Sequence, residues 1–257
     1  MKIALLLPTR ERLNLKLTLI SSIITTVNNI DNVNLYLGVD EDDPTREITM
    51  KIADAIPFVK IVDLPAVPSA EANIHKMWNE CARVSKEVGG EEIIAMIGDD
   101  MIFRTPKWDE RILEVFEKAP NDIQLVYCND GHRNGDLCVN AFVHRKYMDV
   151  TGQFLREEFI ANWADTWLQQ VFTALGRITY LPDVLIEHRH FVFNQMEVDG
   201  TAQRLLDRKE DKSKSDELWD PLEQKRYEEV CELARVENIP VDFKKAGFSQ
   251  QYWRQNG

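Results

Sequence analysis

The chain has 257 residues, 44% of them hydrophobic and 29% charged, with a formal net charge of −12. That length accommodates one large α/β domain with an extension, and the acidic balance argues against a general electrostatic footprint for nucleic acid or an anionic membrane. Cys81, Cys128, Cys138 and Cys231 are widely spaced with no CxxC pair, which suits free thiols in a reducing cytoplasm better than zinc ligands, while the apolar run at Ile3 to Pro8 is too short for a signal-peptide core and no run approaches the ~18 residues of a membrane span.

Ile3 to Leu7 reads as a buried strand, followed by the loop Pro8-Thr9-Arg10-Glu11. Leu13, Leu17, Ile20, Ile24 and Val27 then recur at helical spacing. Asn34 to Val39 is a second strand that runs into Asp40-Glu41-Asp42-Asp43-Pro44, with a helix expected over Thr45 to Ala55. Phe58 to Val62 is a third strand, and a helix is expected from Ser69, as its N-cap, to Val88. Glu92 to Ile97 is a short β-branched strand ending in Gly98-Asp99-Asp100-Met101. Thr105-Pro106 opens a helix to about Lys118, and Ile123 to Tyr127 is a fifth strand. This alternation predicts a mostly parallel sheet with helices on both faces. Beyond it come a polar loop (Asn129 to Asp136), a strand over Leu137 to Val143, a helix over Ala164 to Leu175, and short strands at Ile178 to Leu181 and Val184 to Ile186. The charge-dense stretch Leu206 to Glu217 reads as an exposed loop, Pro221 to Glu237 as a helix, and Phe243 to Trp253 as a mixed aromatic and basic tail.

Ligands of an open α/β sheet bind outside the carboxyl ends of its strands. Asp99 and Asp100 stand at such an end. Adjacent carboxylates repel and are costly to desolvate, so a divalent cation between them is a natural occupant. Asp40 is placed to accept hydrogen bonds from a ribose or base. Arg10, on the first exit loop, has the chemistry of a phosphate clamp. Asp165 begins a helix between Trp163 and Trp167, where a carboxylate can act as a general base and the indoles can wall a sugar ring. His188 and His190 alternate at a strand end and share a face. One imidazole added to carboxylate and diphosphate oxygens suits Mn2+ or Mg2+. The absence of GxGxxG and of GxxxxGK[ST] excludes a dinucleotide fingerprint and a P-loop.

Taken in order, Leu6-Leu7-Pro8-Thr9-Arg10, Gly38-Val39-Asp40, Ile97-Gly98-Asp99-Asp100-Met101, Ala164-Asp165-Thr166-Trp167-Leu168 and Ile186-Glu187-His188-Arg189-His190 resemble the GT-A nucleotide-sugar glycosyltransferases, most closely the inverting family 2 type. The resemblance implies a GT-A (Rossmann-like) domain over residues 1–200, with a nucleotide-binding half (1–128) and an acceptor half (129–200), then a charged C-terminal helical or irregular extension over 201–257. It also implies that Thr9, Arg10, Asp40 and Asp99 surround the nucleotide. Asp100 with His188, or alternatively His190, would hold Mn2+ or Mg2+, and Asp165 would be the catalytic base. The family's DxD motif reads Asp-Asp-Met here, and its acidic residue before the catalytic carboxylate is Ala164. The implied donor is a nucleoside-diphosphate sugar, with a UDP-sugar favoured. The acceptor is a glycan, a protein or a phage-type hydroxymethylated DNA base, the last served by a basic-aromatic surface of Phe243, Lys244, Lys245, Phe248, Tyr252, Trp253 and Arg254. A sugar nucleotidyltransferase would carry a glycine-rich first loop, which Thr9-Arg10-Glu11-Arg12 lacks. A non-catalytic nucleotide-binding module is the remaining alternative.

Overall fold

The structure is a computed structural model that describes residues 1–68, 71–160, 162–189, 198–207 and 209–253. In chain order the elements are β1 (Ile3–Thr9), α1 (Leu13–Thr26), β2 (Val33–Asp40), α2 (Arg46–Ala55), β3 (Val59–Leu64), α3 (Ile74–Val88), β4 (Ile93–Met96), β5 (Met101–Phe103) and α4 (Trp108–Lys118). There follow β6 (Leu125–Asn129), β7 (Phe142–His144), α5 (Lys146–Thr151), α6 (Ala164–Ala174), β8 (Ile178–His188), α7 (Gly200–Asp207), α8 (Lys209–Trp219), α9 (Glu223–Glu237) and α10 (Gln250–Trp253).

One sheet runs in the order β3-β2-β1-β4-β7-β6-β8-β5. Its first four strands are parallel. β7 then runs antiparallel to β4 and β6, β6 is parallel to β8, and β5 is antiparallel to β8. The sheet is therefore mixed rather than mostly parallel throughout. Side-chain alternation divides the core: Leu5, Leu7 and Leu35 face Leu19, Ile23, Trp108 and Ile112 of α1 and α4, while Leu6, Tyr36 and Met96 face a second cluster that includes α3, α6 and α9.

Several expectations shift. The α3 cap is Asn73, whose Oδ1 accepts from the His75 and Lys76 backbone N–H groups at 3.0 and 3.2 Å; Ser69 lies outside the described residues. Lys107, with φ 60°, precedes α4, and Thr105 instead accepts from the Leu185 N–H through its hydroxyl at 2.8 Å. The strand expected from Leu137 shortens to β7 because Asn140 Oδ1 takes the Cys128 N–H at 2.7 Å, replacing a ladder bond. The two strands expected at 178–186 are one, β8, with a register shift opposite Cys128 and Asn129 that accommodates Pro182. The charge-dense stretch is helical, as α7 and α8, since Lys, Glu, Leu and Arg are good helix formers. Three aromatics of the expected basic-aromatic surface do not contribute to it: Phe243, Phe248 and Tyr252 are buried and pack with one another and with Tyr227. Arg254 and the Trp253 side chain lie outside what the structure describes. Among the described residues, no helix is long and apolar enough to cross a membrane.

Candidate active site

β4 gives way at Met96 to a tight turn, and β5 resumes at Met101. The turn presents Asp99 and Asp100 at the carboxyl end of the parallel strands. Asp99 Oδ2 accepts from the Thr9 hydroxyl at 2.9 Å, and its Oδ1 accepts from Arg12 Nη1 at 2.8 Å. Burial pushes the Asp99 carboxyl up, while the Arg12 charge pulls it back and the neighbouring Asp100 adds to the rise.

Asp100 is set by the β5–β8 pairing, in which Met101 stands opposite His188. The Arg189 N–H donates to the Asp100 carbonyl at 2.9 Å and the His188 N–H to the Asp130 carbonyl at 3.0 Å. This fastening brings Asp100 Oδ1 to 3.4 Å from His188 Nε2. Gly98 makes room for the arrangement, because a Cβ there would lie 2.6 Å from Asp100 Oδ1. His190 lies outside the described residues.

Two cis ligands of an octahedral cation at about 2.1 Å stand about 3.0 Å apart. The Asp100–His188 separation is close to that, so the pair fits two positions on one divalent ion. Among the described residues no three His, Cys, Asp or Glu side chains converge to hold a metal. Oxygens of a bound diphosphate and water would have to fill the other positions, which is the mode Mg2+ and similar hard ions favour.

Arg10 and Asp40 also meet, but not with Arg10 free to clamp phosphate. Arg10 Nη1 donates to Asp40 Oδ2 at 3.1 Å and to Asp42 Oδ1 at 2.5 Å. Burial raises the Asp40 carboxyl and Arg10 opposes the rise. Arg12 is not among the candidate site residues expected from the sequence. Its side chain is 12% exposed and bridges Asp99 and Asp199. Glu11 and Arg12 both adopt left-handed backbone, φ 59° and 47°, and this turns the chain from β1 into α1 and aims Arg12 back at the Asp-Asp turn. Its position two residues after Arg10 was the one available signal.

Asp165 stands on a separate element, hydrogen-bonded to none of these groups. Trp163 precedes α6 with φ 74°, an outlying conformation for an aromatic residue. It is held by stacking on Trp219, ring centroids 4.5 Å apart, and by Nε1 donating to Asp216 at 2.8 Å. Asp165 Oδ1 accepts from the Thr166 N–H at 2.8 Å. Burial pushes the Asp165 carboxyl up, opposed by that bond and by the charge of Arg133. Trp167 is no sugar platform: it is buried and donates to Glu229.

No protein-family model matches this sequence, and no curated protein matches it. Solved structures do. Residues 1–349 of S. aureus TarS in complex with UDP match at TM-score 0.57 and 13% identity, over 72% of this chain and 59% of that one. The mannosyltransferase PcManGT from Pyrobaculum calidifontis, in complex with GDP-Man and Mn2+, matches at 0.57 and 14%, over 74% and 57%. Glucosyl-3-phosphoglycerate synthase from Mycobacterium tuberculosis, with Mn2+, UDP and phosphoglyceric acid, matches at 0.50 and 20%, over 74% and 71%. The fold is that of the GT-A glycosyltransferases. The chain spans somewhat under three fifths of the first two of these proteins.

Proposed function

We propose that the protein is a metal-dependent glycosyltransferase that moves a sugar from a nucleoside-diphosphate sugar, with a UDP-sugar favoured, to an acceptor hydroxyl with inversion. The observation that carries this reading is the Asp100–His188 pair, two cation ligands 3.4 Å apart beside the Thr9–Asp99 hydrogen bond at the carboxyl end of a GT-A sheet. TarS with UDP, PcManGT with GDP-Man and Mn2+, and the synthase with Mn2+ and UDP support the same donor class.

Asp100 and His188 would hold Mn2+ or Mg2+. The cation, when bound, neutralises charge on the departing diphosphate. Asp40, with Arg10 braced against it, faces the base or ribose, and Asp99 lies where a ribose hydroxyl or a metal-bound water can be met. Asp165 accepts the proton of the attacking acceptor hydroxyl. Its raised pKa makes it a better base than an exposed carboxylate. A single base with direct displacement gives inversion. Acceptors are hydroxyls of a glycan or a protein. The burial of Phe243, Phe248 and Tyr252 gives the modified-DNA acceptor less support than a glycan or protein. The cytoplasm of the producing cell, or of a phage-infected host, is the proposed location.

A thermal-shift screen of UDP, GDP and their sugars, with and without Mn2+, tests the donor assignment. A ligand at about 100 times its Kd adds about 2.7 kcal/mol of stability. Stabilisation by one nucleotide only when Mn2+ is present is the expected result. No response to any pair defeats the reading. Binding without sugar transfer to any acceptor would favour the non-catalytic module, and pyrophosphate-dependent turnover the nucleotidyltransferase.

A further inference from the structure

We propose that Arg12 is a positioning residue that links the donor pocket to the C-terminal helical segment. The donor half of this inference rests on the function proposed above; the link to the C-terminal segment does not. One edge of the guanidinium, Nη1, donates to Asp99 Oδ1 at 2.8 Å. The other edge grips Asp199 in a fork, Nε to Oδ2 at 2.6 Å and Nη2 to Oδ1 at 2.8 Å. Bidentate carboxylate pairs of this kind are short, directional and stronger than neutral hydrogen bonds.

Asp99 and Asp199 are 100 positions apart in the chain, and Asp199 immediately precedes α7. The arginine therefore touches both the Asp-Asp turn and the entry to α7. Its consecutive left-handed neighbour Glu11 is itself pinned, its N–H donating to Asp43 Oδ2 at 3.1 Å, so the direction of Arg12 is set by backbone rather than by chance of rotamer. Both carboxylates occupy the fork, so Arg12 does not clamp phosphate. It orients Asp99 beside Asp100, and it makes the order of α7 depend on the same contact.

Hydrogen exchange of residues 199–207 in the full chain, measured without nucleotide, and UDP affinity measured with Mn2+ test the two halves separately. Arg12→Gln should speed exchange in 199–207 at least tenfold and weaken UDP about tenfold or more. Asp199→Asn should speed exchange comparably but cost UDP less, because Arg12 still holds Asp99. Arg12→Lys should restore part of the UDP affinity and little of the protection, since an ammonium cannot form the fork. In turnover, Arg12→Gln should raise the donor KM and leave the acceptor KM unchanged. The link is overturned if 199–207 exchanges at unfolded rates in the native chain or is unaffected by Arg12→Gln. The donor role is overturned if Arg12→Gln binds UDP as tightly as the native chain. If the native chain binds no nucleotide, the proposed donor and the donor role of Arg12 fall together, while the exchange data still decide the Asp199 link.

Discussion

Two of the carboxylate–guanidinium clusters among the described residues are built differently. At the carboxyl end of β1, β2 and β4, Arg12–Asp99 and Arg10–Asp40 sit at the mouth of the sheet, with acidic groups on every side. On the other face, beneath α6, Glu229 is enclosed. Its carboxylate pairs with Arg156 and accepts from Tyr147 Oη at 2.5 Å and from Trp167 Nε1 at 3.2 Å. Arg226, 1% exposed, lies over Trp219 at 3.7 Å and Trp167 at 5.1 Å, and burial pushes its pKa down to about 10. The mouth cluster lies at the strand ends, where the cation and nucleotide proposed above would bind. The inner cluster meets its charges with protein groups and fixes the helix that carries Asp165. The two surroundings differ in how far protein groups enclose their charges, so substitutions at the inner cluster and at the proposed site should have opposite signatures.

The largest loss of fold is expected from Glu229→Ala. It leaves Arg156 buried without its anion and removes the acceptor of Tyr147 and Trp167, and breaking such a pair costs about 3–5 kcal/mol. A melt should drop by about 10 °C. A melt within 2 °C of the native chain would show that the two clusters do not differ in the way described.

Asp165→Asn should do the reverse. Loss of a general base costs about 10²–10⁴-fold in kcat. Burial raises the folded pKa of Asp165 above its unfolded value, so the ionised group opposes folding at neutral pH, and that penalty is relieved as pH falls through the folded pKa. Asn removes the charge and keeps an oxygen for the Thr166 N–H, so the melt at pH 7 should rise by about 1–4 °C. By the same logic, kcat/KM of the native enzyme should fall on the acid side with a midpoint above the ordinary carboxylate range. A midpoint at or below that range would remove Asp165 from the base role.

The smallest effect is expected from Gly98→Ala. The added Cβ meets only the end of the Asp100 side chain, so the chain should fold with a melt nearly unchanged while the Mn2+ concentration for half-maximal activity rises about tenfold, roughly the effect of losing good geometry at one ligand. An unchanged metal requirement would mean that the Asp100 carboxylate works from another rotamer.

The first strands of the sheet were legible because their signals are local. β1, β2 and β4 are apolar runs that end abruptly in Thr9-Arg10, Asp40 and Asp99-Asp100, and parallel order follows from alternation with helices. The site residues Thr9, Asp99, Asp100 and His188 meet in two close pairs. What the pattern concealed is long-range. The contacts of Arg12 could not be read locally because its partners lie 87 and 187 positions away. β5 is three residues long and exists as a strand only because β8 supplies its partner. The stretch 209–219 carried charge like a loop, yet it is helical and puts Trp219 against Trp163.

From the sequence alone came the α/β alternation, the carboxylates at strand ends and the donor chemistry they suit, because strand periodicity and the burial cost of charge are properties of neighbouring residues. The tertiary structure decided the mixed strand order, the burial of the C-terminal aromatics and the pairing of Arg12 with both Asp99 and Asp199. Each of these depends on which distant segments meet, and chain spacing carries no energy term for that until the core has closed.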